Sequence, residues 1–437
     1  MDSLIPYLAA DIILLMVAGV FCVRTSAFWH PLAVYLFFHA YSFTWRVIQL
    51  ILGAVPMYGN STDLEVIRPE EFERAIMLAD VALLCFTIGT ALAQSHFRWK
   101  AQFPRMSCEL KVRIVYTVSA FCLPVGLVFL ALNKTGGEEI GEFFGANSFL
   151  GIVNLWSIAC LVVLVFVKGF RLVLIIPICA YLVIVGLQGY HRFMLILPVL
   201  GLSAIYLQGK GKKWPTFGMV ALGIATLFLF PNLKYIGRAV IVADYAAVGN
   251  LVANAFSSTS QTNIRSEKEF ASEEFLDQYA GALTMIDYGG KSYNGSTYLA
   301  LLTLPIPRKF WPEKPGLADH LNDISNSGRP YSTEGRIMTY IGESYLNFRY
   351  LGVGLIPLSL GFGLSYWCLV ATTGPWLRLN RYLYIMAFMA FIQLFRDGLL
   401  SLPLFSLVHN TPTLFIWVAH MFAGRKAMVQ DPPVASS

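Results

Sequence analysis

Apolar runs of about twenty residues recur along the chain between polar segments, and a helix of that length spans the hydrocarbon of a bilayer. The runs predict eleven membrane spans, at 4–23, 31–53, 75–95, 113–132, 149–167, 172–188, 193–208, 216–232, 350–371, 382–400 and 403–422. The first, "LIPYLAADIILLMVAGVFCV", lacks a basic leading segment and a small-residue cleavage site, so it reads as a retained helix and not as a signal peptide. One polar region, 233–349, is long. Within it "EEFLDQYAGALTMIDYGG" puts Phe275, Tyr279, Leu283 and Ile286 on one helical face, which predicts a helix lying on the membrane or capping a cavity. The stretch "GLADHLNDISNSGRPYSTEG" reads as a polar loop rich in turn formers. No repeat at a fixed period and no inverted-repeat signature is visible.

Charge turns this pattern into a topology. Every second connection is basic: Arg24; Arg98, Lys100, Arg105, Lys111 and Arg113; Lys168 and Arg171; Lys210, Lys212 and Lys213; Arg378 and Arg381; Arg425 and Lys426. Asp63, Glu65, Glu70, Glu71 and Glu73 lie in one of the other connections, and Glu138, Glu139 and Glu142 in another. By the positive-inside rule the basic segments are cytoplasmic, which puts the N-terminus and the region 233–349 outside and the C-terminus inside. The expected organisation is spans 1–8 within 1–232, an external region over 233–349, spans 9–11 within 350–422 and a cytoplasmic tail over 423–437. A chain that is 56% hydrophobic and only 13% charged, with a net charge of +6 carried by short loops, is an all-α polytopic membrane protein and not a nucleic-acid binder. Its seven cysteines show no CxxC spacing, which points to neither a disulfide framework nor a zinc site.

Candidate chemistry gathers at the outer side. "QGYHRF" (188–193) is an outer turn; "PRKFWPEKP" (307–315) sits in the long region with Arg308, Lys314, His320, Arg329 and Arg336; "GESYLNF" (342–348) leads into span 9; "FRDGLLS" (395–401) ends span 10. A guanidinium is always charged and presents a planar fork of donors to phosphate oxygens, so converging arginines point to a phosphate or pyrophosphate. Bland readings stand beside these. Arg192 also reads as a headgroup anchor, Arg396 with Asp397 as a structural ion pair, and Arg308, Lys309 and Lys314 as a loop on anionic lipid. Glu343 is either a carboxylate favoured by a helix dipole or a general base, with His320 beside Asp319 as the alternative base. Asp11, Arg46 and Asp80 are expected to pair between helices, with no chemistry assigned. No DxD or carboxylate pair at metal spacing occurs in the external region, so neither a metal nor a cofactor is expected. Trp311, Tyr293, Tyr298, Tyr331 and Tyr345 suit stacking on sugars and equally suit interfacial anchoring.

The order of "GYHR" after a span, "IPRKFWPEKP" in a long external loop, "STEGRIMTYIGESYLNF" running into the next span and "FRDGLLS" near the C-terminus resembles the O-antigen polymerase family, the Wzy-type oligosaccharide repeat-unit polymerases. By motif the resemblance covers roughly residues 185 to 400, and the first half by topology only. One departure is visible: where the family commonly reads asparagine, phenylalanine, glycine, this chain has Asn347, Phe348 and Arg349. The resemblance implies a bacterial inner-membrane glycosyltransferase of the GT-C type. It would move a growing glycan from undecaprenyl pyrophosphate onto an undecaprenyl-pyrophosphate-linked repeat unit at the periplasmic face, without metal and with inversion. Carried onto this chain, Arg192, Arg308, Arg336 and Arg396 hold the pyrophosphate, Lys314 assists, Tyr345 contacts glycan and Glu343 is the base. A chain-length regulator is the partner implied by family analogy. The rivals are an O-antigen ligase, which shares architecture and donor, and a transporter of lipid-linked sugars, which would carry charges along a path through the membrane.

Overall fold

The computed structural model describes residues 2–54, 69–100, 109–132, 147–187, 193–221, 223, 275–289, 292–303, 311, 338–373, 376–399, 401–403, 405–406 and 410–430. Among these, helix dominates and no strand occurs, only an isolated bridge between Glu109 and Arg378. The helices are α1 (Ile5–Thr25), α2 (Pro31–His39), a π-helical stretch (Ala40–Thr44), α3 (Trp45–Ile51), α4 (Pro69–Lys100), α5 (Val112–Leu132), α6 (Asn147–Lys168), α7 (Leu172–Leu187) and α8 (Phe193–Gly209). They continue with α9 (Phe275–Gly289), α10 (Ser296–Thr303), α11 (Thr339–Thr372), α12 (Leu379–Met389), α13 (Phe391–Asp397) and α14 (Thr411–Gln430). Ile5–Thr25, Pro69–Phe97, Val112–Leu130 and Thr339–Thr372 are long and apolar enough to cross a membrane, and Leu155–Lys168, Leu172–Gly186, Leu195–Gly209 and Thr411–Ala423 are shorter apolar helices. The chain is thus an all-α membrane-embedded protein.

Several expected spans are reshaped. The span at 31–53 is helical from Pro31 to Ile51 but passes through the π-helical stretch. The span at 382–400 is not one helix: α12 ends with Ala390 as its C-cap and α13 begins at Phe391. The last helix starts at Thr411, later than the run at 403–422 suggests, with Pro412 in its first turn where a missing N–H costs nothing. The helix expected over the 275–286 face is present as α9, with Tyr279, Leu283 and Ile286 buried.

The chain forms two compact units. One is built from α1–α4, α9, α10, α13 and α11 as far as Val370. Here α4 and α11 approach backbone to backbone. A methyl group on Gly89 would run into Leu358 O, and one on Gly361 into Phe86 O, so each helix uses a glycine to admit the other. Thr90 Oγ1 and Ser365 Oγ, 3.0 Å apart, add a hydrogen bond to this crossing. We predict that Gly361→Ala lowers stability by about 1–3 kcal/mol, because its neighbour is carbonyl backbone that cannot rotate away. Thermal unfolding in detergent measures this, and an unchanged midpoint would refute the close crossing. Beside it, Tyr35 and Phe38 of α2 pack on Phe395 of α13 at centroid distances of 4.8 and 6.2 Å, and Tyr35 meets Tyr340 of α11 at 5.5 Å.

The same unit buries an ion pair. Arg46 donates from Nε to Asp277 Oδ1 at 2.9 Å and from Nη2 to Oδ2 at 2.7 Å, with both side chains almost wholly enclosed. The pair ties α9, which lies in the long polar region of the sequence, to α3. Arg46 therefore pairs between helices as expected, with a partner that was not foreseen.

The other unit contains α5–α8, α12 and α14. Trp376 stacks on Phe166 at 5.1 Å and donates its indole N–H to Phe166 O at 2.9 Å, and Tyr382 meets Thr413 hydroxyl to hydroxyl at 2.8 Å. His420 accepts the Lys111 backbone N–H at 2.7 Å.

Candidate functional site

The motif "YNGSTY" (293–298) builds the site from a turn. Asn294 and Gly295 take positive φ, at 47° and 88°, and α10 starts at the next residue. Asn-Gly is the dipeptide that best tolerates this conformation. The turn is held by Asn347: its Oδ1 accepts the Gly295 N–H at 3.0 Å, its carbonyl accepts the Asn294 N–H at 3.1 Å and the Ser292 hydroxyl at 2.6 Å, and its Nδ2 donates to Thr297 Oγ1 at 2.6 Å.

From Thr297 the network reaches Glu343. The Thr297 hydroxyl donates to Glu343 Oε1 at 3.2 Å, and the Leu399 backbone N–H donates to Glu343 Oε2 at 2.7 Å. Leu399 follows Gly398, whose φ of +100° ends α13. A Cβ on Gly398 would run into Glu343 Oε2, so only glycine lets this loop close on the carboxylate. Glu343 is 2% exposed and holds a donor on each oxygen. In one arrangement it thus clasps "GESYLNF", "FRDGLLS" and the "NGST" turn. A buried carboxylate is tolerable when hydrogen-bonded in this way. Nearby, the Tyr298 hydroxyl donates to Ser344 Oγ at 3.4 Å; burial, reinforced by the Glu343 charge, holds its phenol well above the ordinary range and keeps it protonated.

A second cluster surrounds Tyr345. Its hydroxyl donates to Asp287 Oδ1 at 2.7 Å, Arg74 reaches both Asp287 and the Tyr345 hydroxyl, and Arg349 donates to Asp287 Oδ1 at 2.9 Å and to Ile286 O at 3.3 Å. The Arg74 and Arg349 guanidiniums lie 5.1 and 5.4 Å from the centre of the Tyr345 ring. Tyr345 is 2% exposed.

Arg349 occupies the point where the long helix breaks. Phe348 (φ −134°, ψ 16°) and Arg349 (φ 54°, ψ −140°) leave helical geometry inside Thr339–Thr372, so the segment carrying Glu343 and the apolar segment after it are separate helices. The Arg349 conformation is one that glycine adopts freely and other residues adopt at a cost of about 1–3 kcal/mol. The contacts of Arg349 to Asp287 and Ile286 offset the strain. We predict that Arg349→Gly is more stable than Arg349→Ala by about 1–2 kcal/mol, since alanine loses the same contacts and keeps the strain. Thermal unfolding of the pair decides it, and alanine matching glycine would remove the argument.

Of the residues given a catalytic or substrate-binding role by the sequence resemblance, Glu343, Tyr345 and Arg396 are described, while Arg192, Arg308, Lys314, His320 and Arg336 lie outside the described residues. Arg396 stands three positions before the N–H that Glu343 accepts. Its Nε lies 3.2 Å from Asp397 Oδ1, the ion pair foreseen, and its guanidinium is 6.0 Å from the Phe275 ring centre, with about a third of the side chain exposed at 35%. The sequence assigns no role to Thr297, Arg74 and Asp287, and Asn347 stands out only as the first residue of the triplet ending at Arg349. The Asn-Gly dipeptide ahead of Thr297 was a turn signal available in the sequence; nothing local marked Arg74 or Asp287. No protein-family model, curated protein or solved structure matches the chain.

Proposed function

We propose that the chain is a polysaccharide repeat-unit polymerase of the bacterial inner membrane, an eleven-span, GT-C-like glycosyltransferase with its N-terminus in the periplasm and its C-terminus in the cytoplasm. The observation that carries this reading is the Glu343 clasp: two motifs on which the family resemblance rests, 56 residues apart, meet at one buried carboxylate, whose donor Leu399 follows Arg396 by three positions. In the reaction, a sugar hydroxyl of the new repeat unit attacks the anomeric carbon of the growing glycan. The bond from that carbon to the pyrophosphate oxygen breaks, and undecaprenyl pyrophosphate leaves with the electron pair. A single displacement inverts the anomeric configuration.

The partly exposed Arg396 suits the leaving pyrophosphate, with Arg192, Arg308, Arg336 and Lys314 as its proposed companions. Fixed guanidiniums stabilise negative charge as it develops and need no divalent ion for that. Glu343, enclosed and engaged on both oxygens, acts as a positioning residue for the loop that carries Arg396. Of the two base candidates this leaves His320, beside Asp319, to take the proton. Donor and acceptor are both lipid-linked, and a chain-length regulator is the proposed partner.

The test is polymerisation by purified protein from a synthetic lipid-pyrophosphate repeat unit, with products resolved on a gel. A ladder of lengths without nucleotide sugar is the expected result. Transfer of a single glycan to lipid A core would make the protein a ligase. The buried polar cluster of Asp11, His39 and Asp80 is the feature that favours a transporter, and movement of the lipid between liposome leaflets without a ladder would establish one. We further predict that Arg396→Ala lowers polymer yield at least tenfold at unchanged protein level, whereas Arg396→Lys, which keeps the charge but not the fork, falls between. Full-length polymer from Arg396→Ala would remove the phosphate assignment.

A further inference from the structure

Asp11 of α1, His39 at the end of α2 and Asp80 of α4 meet inside the first unit. His39 Nε2 lies 2.9 Å from Asp11 Oδ1 and 3.5 Å from Asp80 Oδ1, with side-chain exposures of 0% for His39 and Asp11 and 16% for Asp80. One donor atom from each residue lies within 4.8 Å of the other two. The Asp11 carboxylate is faced by Asp80 and by the enclosed Thr44 hydroxyl as well as by His39. His39 Nδ1 has no hydrogen-bond partner, the His39 ring lies 5.1 and 6.1 Å, centroid to centroid, from those of Phe43 and Tyr35, and Nε2 is the nitrogen directed at the carboxylates.

Charge counting decides what such a cluster holds. Carboxylates removed from water take up either a proton or a counter-charge, and among the described residues His39 is the cationic side chain in ion-pair contact with these two. An imidazolium balances one carboxylate. A divalent cation balances both and takes the neutral imidazole as a third ligand. The spacing suits one ion: tetrahedral bonds of about 2.0–2.1 Å separate donor atoms by roughly 3.3 Å, between the two distances seen. The backbone departs from the α-helix directly after His39, in the π-helical stretch Ala40–Thr44, a distortion often found where a side chain is aimed at a functional site.

We propose that Asp11, His39 and Asp80 bind one divalent transition-metal ion of the zinc class, for which one imidazole and two carboxylates are a fitting donor set. The ion joins α1, α2 and α4, and Tyr35, one helical turn before His39, carries that join to Tyr340 and Phe395. Its part is structural, separate from phosphate chemistry, and the inference stands whether or not the protein makes glycan.

The experiment loads the purified full chain in detergent with Zn2+ or Co2+ after chelation, then measures metal content, the visible spectrum of the Co2+ form and the thermal midpoint. The expected result is about one ion per chain, Co2+ bands of a low-coordinate site and a midpoint raised by metal. Asp11→Asn and His39→Gln lose the ion at concentrations that saturate the parent protein. A parent protein that takes up no Zn2+ and shows no Co2+ bands overturns the proposal without recourse to any variant, and so do folded variants that bind as much metal as the parent. Either outcome would mean that the cluster shares protons only.

Discussion

On the proposed reading, in which the carboxylate positions the site and takes no proton, Glu343→Ala abolishes the polymer ladder, while Glu343→Gln retains activity within about tenfold of the parent protein. Alanine leaves the Leu399 N–H and the Thr297 hydroxyl without their acceptor. Each such buried donor costs about 1–3 kcal/mol. The loop that carries Arg396 then loses its anchor, and a displacement of about 1 Å at a reacting centre is enough for a hundredfold loss of rate. Glutamine is nearly isosteric and keeps one oxygen, which can still accept the Leu399 N–H. A general base would behave differently: Glu343→Gln would then cost about 10²–10⁴ in rate with the fold intact. Initial rates of ladder formation, set beside thermal midpoints, separate these cases. A stable but inactive Glu343→Gln protein would restore Glu343 as the base and release His320 from that role.

The largest effect on stability is expected at Arg46 and Asp277. Removing one partner strands the other charge in an enclosed site, so Arg46→Met and Asp277→Leu should each destabilise the protein by about 3–5 kcal/mol. The double replacement should recover most of that loss, since two apolar side chains need no hydrogen bonds and fill a similar volume. Unfolding in detergent, analysed as a double-mutant cycle, measures the coupling. If the double variant is no more stable than the worse single variant, the pair is not what joins α9 to α3.

Glu343 and Arg46 differ in how much of their surroundings the sequence specifies. Glu343 drew notice as the one carboxylate in a motif leading into an apolar run, but its burial and its contacts to Thr297 and Leu399, 46 and 56 residues away, were not readable. Arg46 was expected to pair between helices, yet its partner lies 231 residues further on, in a region taken for a membrane-surface helix or a cap. Asp11 and Asp80 were expected to pair as well, and they meet at His39, which attracted no attention beside its apolar neighbours.

Local pattern alone determined that the chain is helical and membrane-embedded and that Tyr279, Leu283 and Ile286 share one face of α9. Those properties depend on residues within a few turns of one another, where hydrophobic periodicity and backbone preference act. Tertiary structure alone decided where the runs break, at Phe348–Arg349 and at Ala390, and which polar side chains share an enclosed site. Enclosed charges and hydrogen-bonding groups are stabilised only by partners at contact distance, and the folded chain draws those partners from distant parts of the sequence.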